Sequence, residues 1–559
     1  MKRLLIIISA IIFSTGMFAQ EQKHVVFLKN KDSNPYSLSD PAAFLTQRSL
    51  DRRTKSGISL DMKDLPVTPS YVAQIAATGA PVVYTLKWFN AVVVNTNNPA
   101  YLAAISALPF VDHIDQVLTD KPGQVVEKSG INGVSNVLPY VSQQALPSAI
   151  AKSTGSINYG QAYNQAHMIA ADGLHNLGFM GEGMVIAVLD AGFYHVDQIE
   201  AFDSLWINYQ ILGTRDFSIP GNNVFGDDMH THGTSVLSTM GANLPGQMVG
   251  TAPHAYFWLV RTEVGGYEAL IEEYNWAAGA EFADSLGVDV INSSLGYTTF
   301  DNPIFNHSYS DMNGNTTPCT RAADLATSRG ILVVNSAGND GGSSWQYVGA
   351  PADGDSVFTI GAVDASGFYA SFSSTGPTSD GRTKPDVTAQ GQGTTVVGGW
   401  GGLGQGSGTS FSSPVTAGGL ACLWQSVPAF SAEQVRDAVR NTASMAMAPN
   451  NQYGWGIPNL VNARTFLSSP GSAPDQQEQF VLYPVPFTTS PILKCNQRVP
   501  ETITVETLSM AGQVLGKKEI FTGGASSVRF YELNAMPSGV YFLRISTPNS
   551  SQVIRAVKI

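Results

Sequence analysis

The chain has 559 residues, more than one domain accommodates, so two or three domains are expected. Hydrophobic residues make up 43% and charged residues only 13%, which excludes wholesale disorder and supplies a large core. A formal charge of −12 without a long Lys/Arg run argues against nucleic acid as a partner.

Residues 1–19 read as a secretory signal. Lys2 and Arg3 give a basic start, Leu4 to Phe13 a short apolar run, and Ala19 before Gln20 a cut point, although Met17 is bulkier than usual there. The run is short for a membrane span, and no other segment has 18 uninterrupted apolar residues, so a mature protein without a transmembrane anchor is expected. Residues 20–120 alternate strand-like and helix-like pieces: His24 to Leu28, Pro41 to Thr54, the apolar strand pair Pro81 to Asn95, Pro99 to Leu108 and Val111 to Val117. They predict a small α+β domain. Its basic cluster, Arg48, Arg52, Arg53 and Lys55, reads as a solvated helix face. Residues 121–157, rich in Ser, Gly, Asn, Gln and Pro, read as a flexible linker.

From 158 to 468 the pattern becomes repeated β-then-α. Met184 to Leu189, Tyr256 to Arg261, Val288 to Asn292, Ile331 to Asn335 and Val357 to Val363 are short apolar strands. Amphipathic stretches lie between them, such as Ala269 to Leu286 with Leu270, Ile271, Tyr274, Ala277, Ala278 and Phe282 on one face. This predicts an α/β fold, a parallel sheet with helices on both faces, whose reactive groups gather at strand ends. Residues 469–478 read as a second linker, and 479–559, with strands at Thr502 to Leu508, Ser527 to Leu533, Gly539 to Ser546 and Gln552 to Lys558, as a small β-sandwich. Cys319, Cys422 and Cys495 are too few for a disulfide framework and show no CxxC spacing. Cys422 reads as a small buried hydrophobe.

Three segments in the central region carry chemistry: Val188-Leu189-Asp190-Ala191-Gly192, His232-Gly233-Thr234-Ser235 and Gly408-Thr409-Ser410-Phe411-Ser412-Ser413-Pro414. A serine hydroxyl becomes a nucleophile when an imidazole takes its proton, and the imidazole needs a carboxylate to fix its tautomer. Asp190 directly follows a strand, His232 opens a helical pattern, and Ser410 precedes a helix with Pro414 in its first turn. Singly, each segment is an ordinary turn or helix start. Together, in the order Asp, His, Ser, they resemble the subtilisin-like serine proteases, the subtilase family.

The resemblance implies a subtilisin-like fold and a secreted endopeptidase that works through an acyl-enzyme. Ile331 to Asp340 resembles the family's oxyanion segment, so Asn339 is expected to donate to the oxyanion. Ser294-Leu295-Gly296 resembles the edge that pairs with extended substrate, and Gly265-Gly266-Tyr267 the opposing edge. Ala337, Gly338 and Gly349 resemble the primary pocket, with Asp340 near its mouth. Residues 20–120 look like the family's inhibitory propeptide, with the first linker as the place of its removal. Leu482-Tyr483-Pro484-Val485-Pro486-Phe487, Gly512-Gln513-Val514, Pro537 to Tyr541 and Val557-Lys558-Ile559 resemble the C-terminal sorting domain of type IX secretion. Export through the periplasm of a Gram-negative bacterium follows, with the secretion machinery and the chain's own propeptide as partners.

The chain departs from the family pattern at Ala191, where a hydroxyl usually follows the Asp, and at Ser235, Phe411 and Val485. The chemistry needs no cofactor. Calcium sites are frequent in the family, but no ligand loop matches, and Asp227 and Asp228 read equally as surface charges. Competing readings are a catalytically silent surface binding protein on the same scaffold and a passive or carbohydrate-binding C-terminal module. An α/β-hydrolase esterase is excluded by the absence of GxSxG, and a P-loop nucleotide enzyme by the absence of GxxxxGK[ST].

Overall fold

The computed structural model describes residues 22–117 and 157–469, apart from 227–228, 264–265 and 267, and residues 480–559, apart from 484, 486, 496–501, 510–512, 522–526 and 548–550. The signal sequence, the first linker up to 156 and the second linker beyond Ser469 lie outside the described residues. The chain divides into two units, Met1–Ser468 and Ser469–Ile559.

The first unit begins with β1 (Lys23–Leu28), α1 (Gln47–Lys55), α2 (Pro69–Ala77), β2 (Val82–Leu86), β3 (Ala91–Asn95), α3 (Pro99–Ser106) and β4 (Val111–Gln116). The strands form an antiparallel sheet in the order β2-β3-β1-β4. Side chains alternate along a strand, so the continuous apolar run Val92-Val93-Val94 needs a cover on each face. Val26, Val92 and Val94 pack with Val72 and Ile75 of α2 and Ile105 of α3. Val25, Val93 and Leu86 pack the other way, into the core of the region that follows.

That region is built on β5 (Val185–Asp190), β6 (Ile211–Asp216), α4 (His232–Gly241), β7 (Tyr256–Arg261), α5 (Ile271–Leu286), β8 (Val290–Ser293), α6 (Pro318–Ser328), β9 (Leu332–Ser336), β10 (Phe358–Val363), β11 (Val387–Gln390), the hairpin β12 (Thr394–Val397) and β13 (Leu403–Gly406), and α7 (Thr409–Ser426). Seven parallel strands run in the order β11-β10-β9-β8-β5-β7-β6. Ile186 and Val188 of β5 face α4 and α7, while Val185, Ala187 and Leu189 face α5 and α6. The expected two-sided α/β sheet is present. β6 and β11 escaped the sequence reading because both are edge strands, and Ile-Leu-Gly-Thr-Arg-Asp and Val-Thr-Ala-Gln lack the apolar run of a central strand.

Three sequence expectations change. Asp190 is the last residue of β5 rather than the one after it, and Ser410 lies inside the first turn of α7, which puts Pro414 in the second turn. The basic cluster is no solvated face: Arg52 and Arg53 are 6% and 2% exposed. Both donate to Asp284 of α5, at 2.7 and 2.9 Å, and Lys87 adds a third contact at 2.9 Å. Arg48 pairs with Asp289. Arg53 also meets Asp64 at 2.9 Å, but Asp284 and Asp289 lie more than two hundred residues away, where no local pattern reveals them. α5 is accordingly buried on its polar face as well. The N–H groups of Lys87 and Trp88 donate to Glu281 at 2.7 and 2.9 Å, and the Tyr84 hydroxyl to Asn275 at 2.6 Å. Burial works against ionisation of Asp284, yet Lys87, Arg53 and Arg52 hold its carboxyl well below the usual range. Burial pushes Glu281 up to about 7.

Cys319 and Cys422 are buried free thiols. The second unit contains β14 (Phe480–Tyr483), β15 (Ile492–Cys495), β16 (Thr502–Leu508), β17 (Val514–Phe521), β18 (Ser527–Arg529), β19 (Gly539–Ser546) and β20 (Ser551–Lys558). They form two antiparallel sheets, β14-β15-β18 and β17-β16-β19-β20. One core holds both: Phe480, Leu482 and Leu493 from the first sheet meet Ile503, Val505, Leu543 and Ile545 from the second. The expected β-sandwich is formed.

Candidate active site

β5 is buried throughout between β7 and β8 and ends in Asp190, which is 0% exposed. Asp190 Oδ1 accepts from the Ala191 N–H and from His232 Nδ1–H, each at 2.8 Å. His232 is the first residue of α4, and the next residue lets that helix start so close to the strand end. A Cβ on Gly233 would lie 2.3 Å from the Gly192 carbonyl oxygen and 3.1 Å from Asp190 Cβ. Burial disfavours the charged imidazole, but the charge and hydrogen bond of Asp190 outweigh it and raise the His232 pKa above 6.5.

Ser410 is the second residue of α7. Its Oγ donates to the Ser294 carbonyl at 3.4 Å, a long bond, and is not hydrogen-bonded to the imidazole. The His232 ring stands 6.2 Å from the ring of Phe411, which sets it beside the same helical turn. In an uninterrupted helix the Ser410 carbonyl would accept from the N–H of residue 414, but Pro414 has none. Ser294 Oγ supplies the missing donor at 2.9 Å.

Asn339 follows β9 and is exposed. Its Oδ1 accepts from the Thr409 N–H at 2.9 Å and the Thr409 hydroxyl at 3.1 Å. With the oxygen so held, the amide NH₂ stays available as a donor. A Cβ built on Gly408 would lie 3.5 Å from it, which places that NH₂ next to the residue preceding Thr409.

The remaining expected residues surround this group. Ser294, Leu295 and Gly296 leave the end of β8, and the Leu295 carbonyl is fixed by Asn335 Nδ2 at 3.0 Å. Tyr297 and Ala350 then exchange backbone hydrogen bonds at 2.8 and 3.2 Å, beside Gly349. Ala337 packs in a small buried group with Val348 and Ala352. Gly338 adopts φ +105° and donates its N–H to the Thr409 hydroxyl at 3.2 Å; a Cβ there would meet Ser374 Oγ at 2.7 Å. Asp340 is partly exposed, its N–H on Ser374 Oγ at 3.0 Å and its Oδ1 accepting from Ser343 Oγ at 3.3 Å. Gly265 and Tyr267 of the opposing edge lie outside the described residues, as do Asp227 and Asp228.

Two features were not anticipated from the sequence. Thr409 anchors both Asn339 and Gly338, a role that nothing but its place before Ser410 could have suggested. Glu263 and Tyr297 join at 2.8 Å beside the site, and no motif marks either residue.

Three family models match the chain. The subtilase family covers residues 181–456, the Bacteroidota propeptide domain of S8 peptidases residues 23–129, and the secretion system C-terminal sorting domain residues 481–559. Subtilisin E of Bacillus subtilis (strain 168) is 33% identical over 301 residues, 53% of this chain and 69% of that protein. Subtilisin of Bacillus pumilus is 32% identical over the same length, 53% of this chain and 96% of that protein. No helix among the described residues is long and apolar enough to cross a membrane. Both the strand-end geometry and these similarities lead to one assignment: the chain belongs to the subtilase family, with an N-terminal S8 propeptide domain and a C-terminal sorting domain.

Proposed function

We propose that the protein is a secreted serine endopeptidase, made as a precursor and exported by the type IX route to the medium or cell surface. The observation that carries the reading is the His232–Asp190 hydrogen bond, with Ser410 held in the adjacent helical turn. Ser410 Oγ attacks the scissile carbonyl once its side chain turns from the Ser294 carbonyl to His232. His232 takes the proton and returns it to the leaving amine, while Asp190 keeps Nδ1 protonated and balances the imidazolium. Charge on the tetrahedral oxygen is met by the Asn339 amide and the Ser410 N–H. Water then releases the acyl group by the same steps. Substrate main chain pairs with Ser294 to Gly296, and the side chain before the scissile bond enters the space bounded by Ala337, Gly338 and Gly349, with Asp340 at its rim.

In the precursor the N-terminal domain is the chain's own inhibitor, docked on α5. Structural calcium is compatible with this chemistry and takes no part in it. A fluorophosphonate probe tests the proposal: the processed enzyme becomes labelled and S410A does not. Failure of the folded, processed wild-type protein to react would favour a silent binding protein on this scaffold.

A further inference from the structure

Glu263 lies two residues beyond β7 and is 8% exposed. Its Oε1 accepts from the Thr262 hydroxyl at 2.7 Å and from the Tyr297 hydroxyl at 2.8 Å. Each donor leads to a different part of the active site. Thr262 donates its N–H to the Asp190 carbonyl at 3.1 Å, and its own carbonyl accepts from Asn275 Nδ2 at 2.7 Å. Tyr297 is 1% exposed, directly follows Gly296 and is locked to Ala350. One carboxyl therefore bridges the strand ends carrying the triad acid and the edge expected to hold substrate.

We propose that Glu263 is a positioning residue: through the Tyr297 hydroxyl it fixes the Ser294–Gly296 edge against the strand end bearing Asp190, so that an extended peptide is gripped in register with Ser410. The proposal rests on the peptidase reading above. Its pH behaviour follows from the groups around it. Asp190 and His232 face it from β5 and α4, and the Tyr297 phenol from beyond β8. Glu268 and Glu272, before and within α5, bring carboxylate oxygens within 4.8 Å of its own and of one another. Asp301 in turn accepts from the Glu268 N–H at 3.0 Å. Burial, with the charges of Glu268 and Asp190, pushes the Glu263 carboxyl up to about 8, against the hydrogen bonds from Thr262 and Tyr297. Oε1 accepts both hydroxyls. Ionisation above that value makes Oε1 the stronger acceptor, so the bridge to Tyr297 holds in either protonation state.

The test compares two substrates, a peptide extended on the acyl side and a short acyl ester, on the processed enzyme from pH 6 to 10. In the wild type, KM for the extended peptide passes pH 8 without a rise, since the ionised carboxylate accepts the Tyr297 hydroxyl at least as well as the neutral one. E263Q keeps an acceptor for the Tyr297 hydroxyl and holds KM for the extended peptide near the wild-type value. Y297F and E263L lose the bridge and raise KM for the extended peptide roughly three- to tenfold at pH 7, as expected for one lost hydrogen bond, with kcat for the ester little changed. A KM for the extended peptide in E263Q as high as in E263L overturns the proposal. So does a wild-type KM in Y297F, which keeps the ring and folds if E263L does not. Equal damage to both substrates also overturns it, since that marks a merely structural role. Fluorophosphonate labelling of the wild type separates the two readings: labelled enzyme with these results loses only the Glu263 role, and unlabelled enzyme loses both.

Discussion

His232 Nδ1–H donates to Asp190 Oδ1 at 2.8 Å, and the acceptor carboxylate is fully buried. The pair fixes the imidazole so that Nε2 is the nitrogen left to act as base. Because the His232 pKa stands above 6.5, activity is lost as pH falls through that raised value, at higher pH than an ordinary histidine would dictate. D190N removes the charge that raises it. The acid limb of kcat/KM then moves to lower pH, and kcat drops by on the order of 10⁴, the cost of the wrong tautomer. A pH–rate profile of both enzymes checks this.

Asn339 is aimed by Thr409, which holds its amide oxygen through two hydrogen bonds. N339A should lower kcat by roughly 10²–10³ with KM little changed, the usual worth of one oxyanion donor. T409V, which keeps the N–H but not the hydroxyl, should give a smaller loss in the same direction. Steady-state kinetics on one peptide distinguish the two.

Asp190 Oδ2 is buried and receives no hydrogen bond from the described residues, because Ala191 stands where a hydroxyl is usual in the family. A191S offers that donor. Thermal unfolding of A191S should show a gain of about 1 kcal/mol, since an unmet buried acceptor costs about that much or more. The acid limb of activity should remain in place, because the charge acting on His232 is unchanged.

Asp284 neutralises Arg52, Arg53 and Lys87 across the join between the N-terminal domain and α5. D284N leaves three buried cations without their shared anion and should weaken docking by about 3–5 kcal/mol. Glu281 adds a pH dependence. Its docked pKa of about 7 lies above the usual value, so its contribution is complete below about 4.5 and is lost as pH rises through 7. The cleaved N-terminal domain should therefore leave the enzyme faster at pH 8 than at pH 5, a trend that gel filtration of the processed mixture records.

Deleting residues 479–559 removes the sorting domain alone. The truncated protein should react with a fluorophosphonate at the wild-type rate yet accumulate in the periplasm. Its appearance in the medium at the wild-type level would contradict the export route.

The sequence exposed those parts of the fold whose signal is local. Buried central strands such as β5 announce themselves as apolar runs, and the proposed triad residues sit inside short segments whose residue types are dictated by chemistry and close approach, as at Gly233. What stayed hidden depends on partners distant in the chain. Arg52 and Arg53 looked like surface charges because Asp284 comes more than 230 residues later. Glu263 and Tyr297 belong to no motif, and their meaning arises only when β7 and β8 are set on either side of β5. Pro414 in the sequence suggests a helix that starts after Ser410, whereas the helix begins at Thr409, with Ser294 serving the carbonyl that proline cannot.

That substitution of a hydroxyl for a missing amide makes the proposed substrate rim and the helical turn of the proposed nucleophile a single mechanical piece. Redesigning the rim at position 294 for a new selectivity would disturb the reactive serine as well. Engineers seeking altered preference should leave Ser294 alone and work on the far wall at Asp340, which is partly exposed.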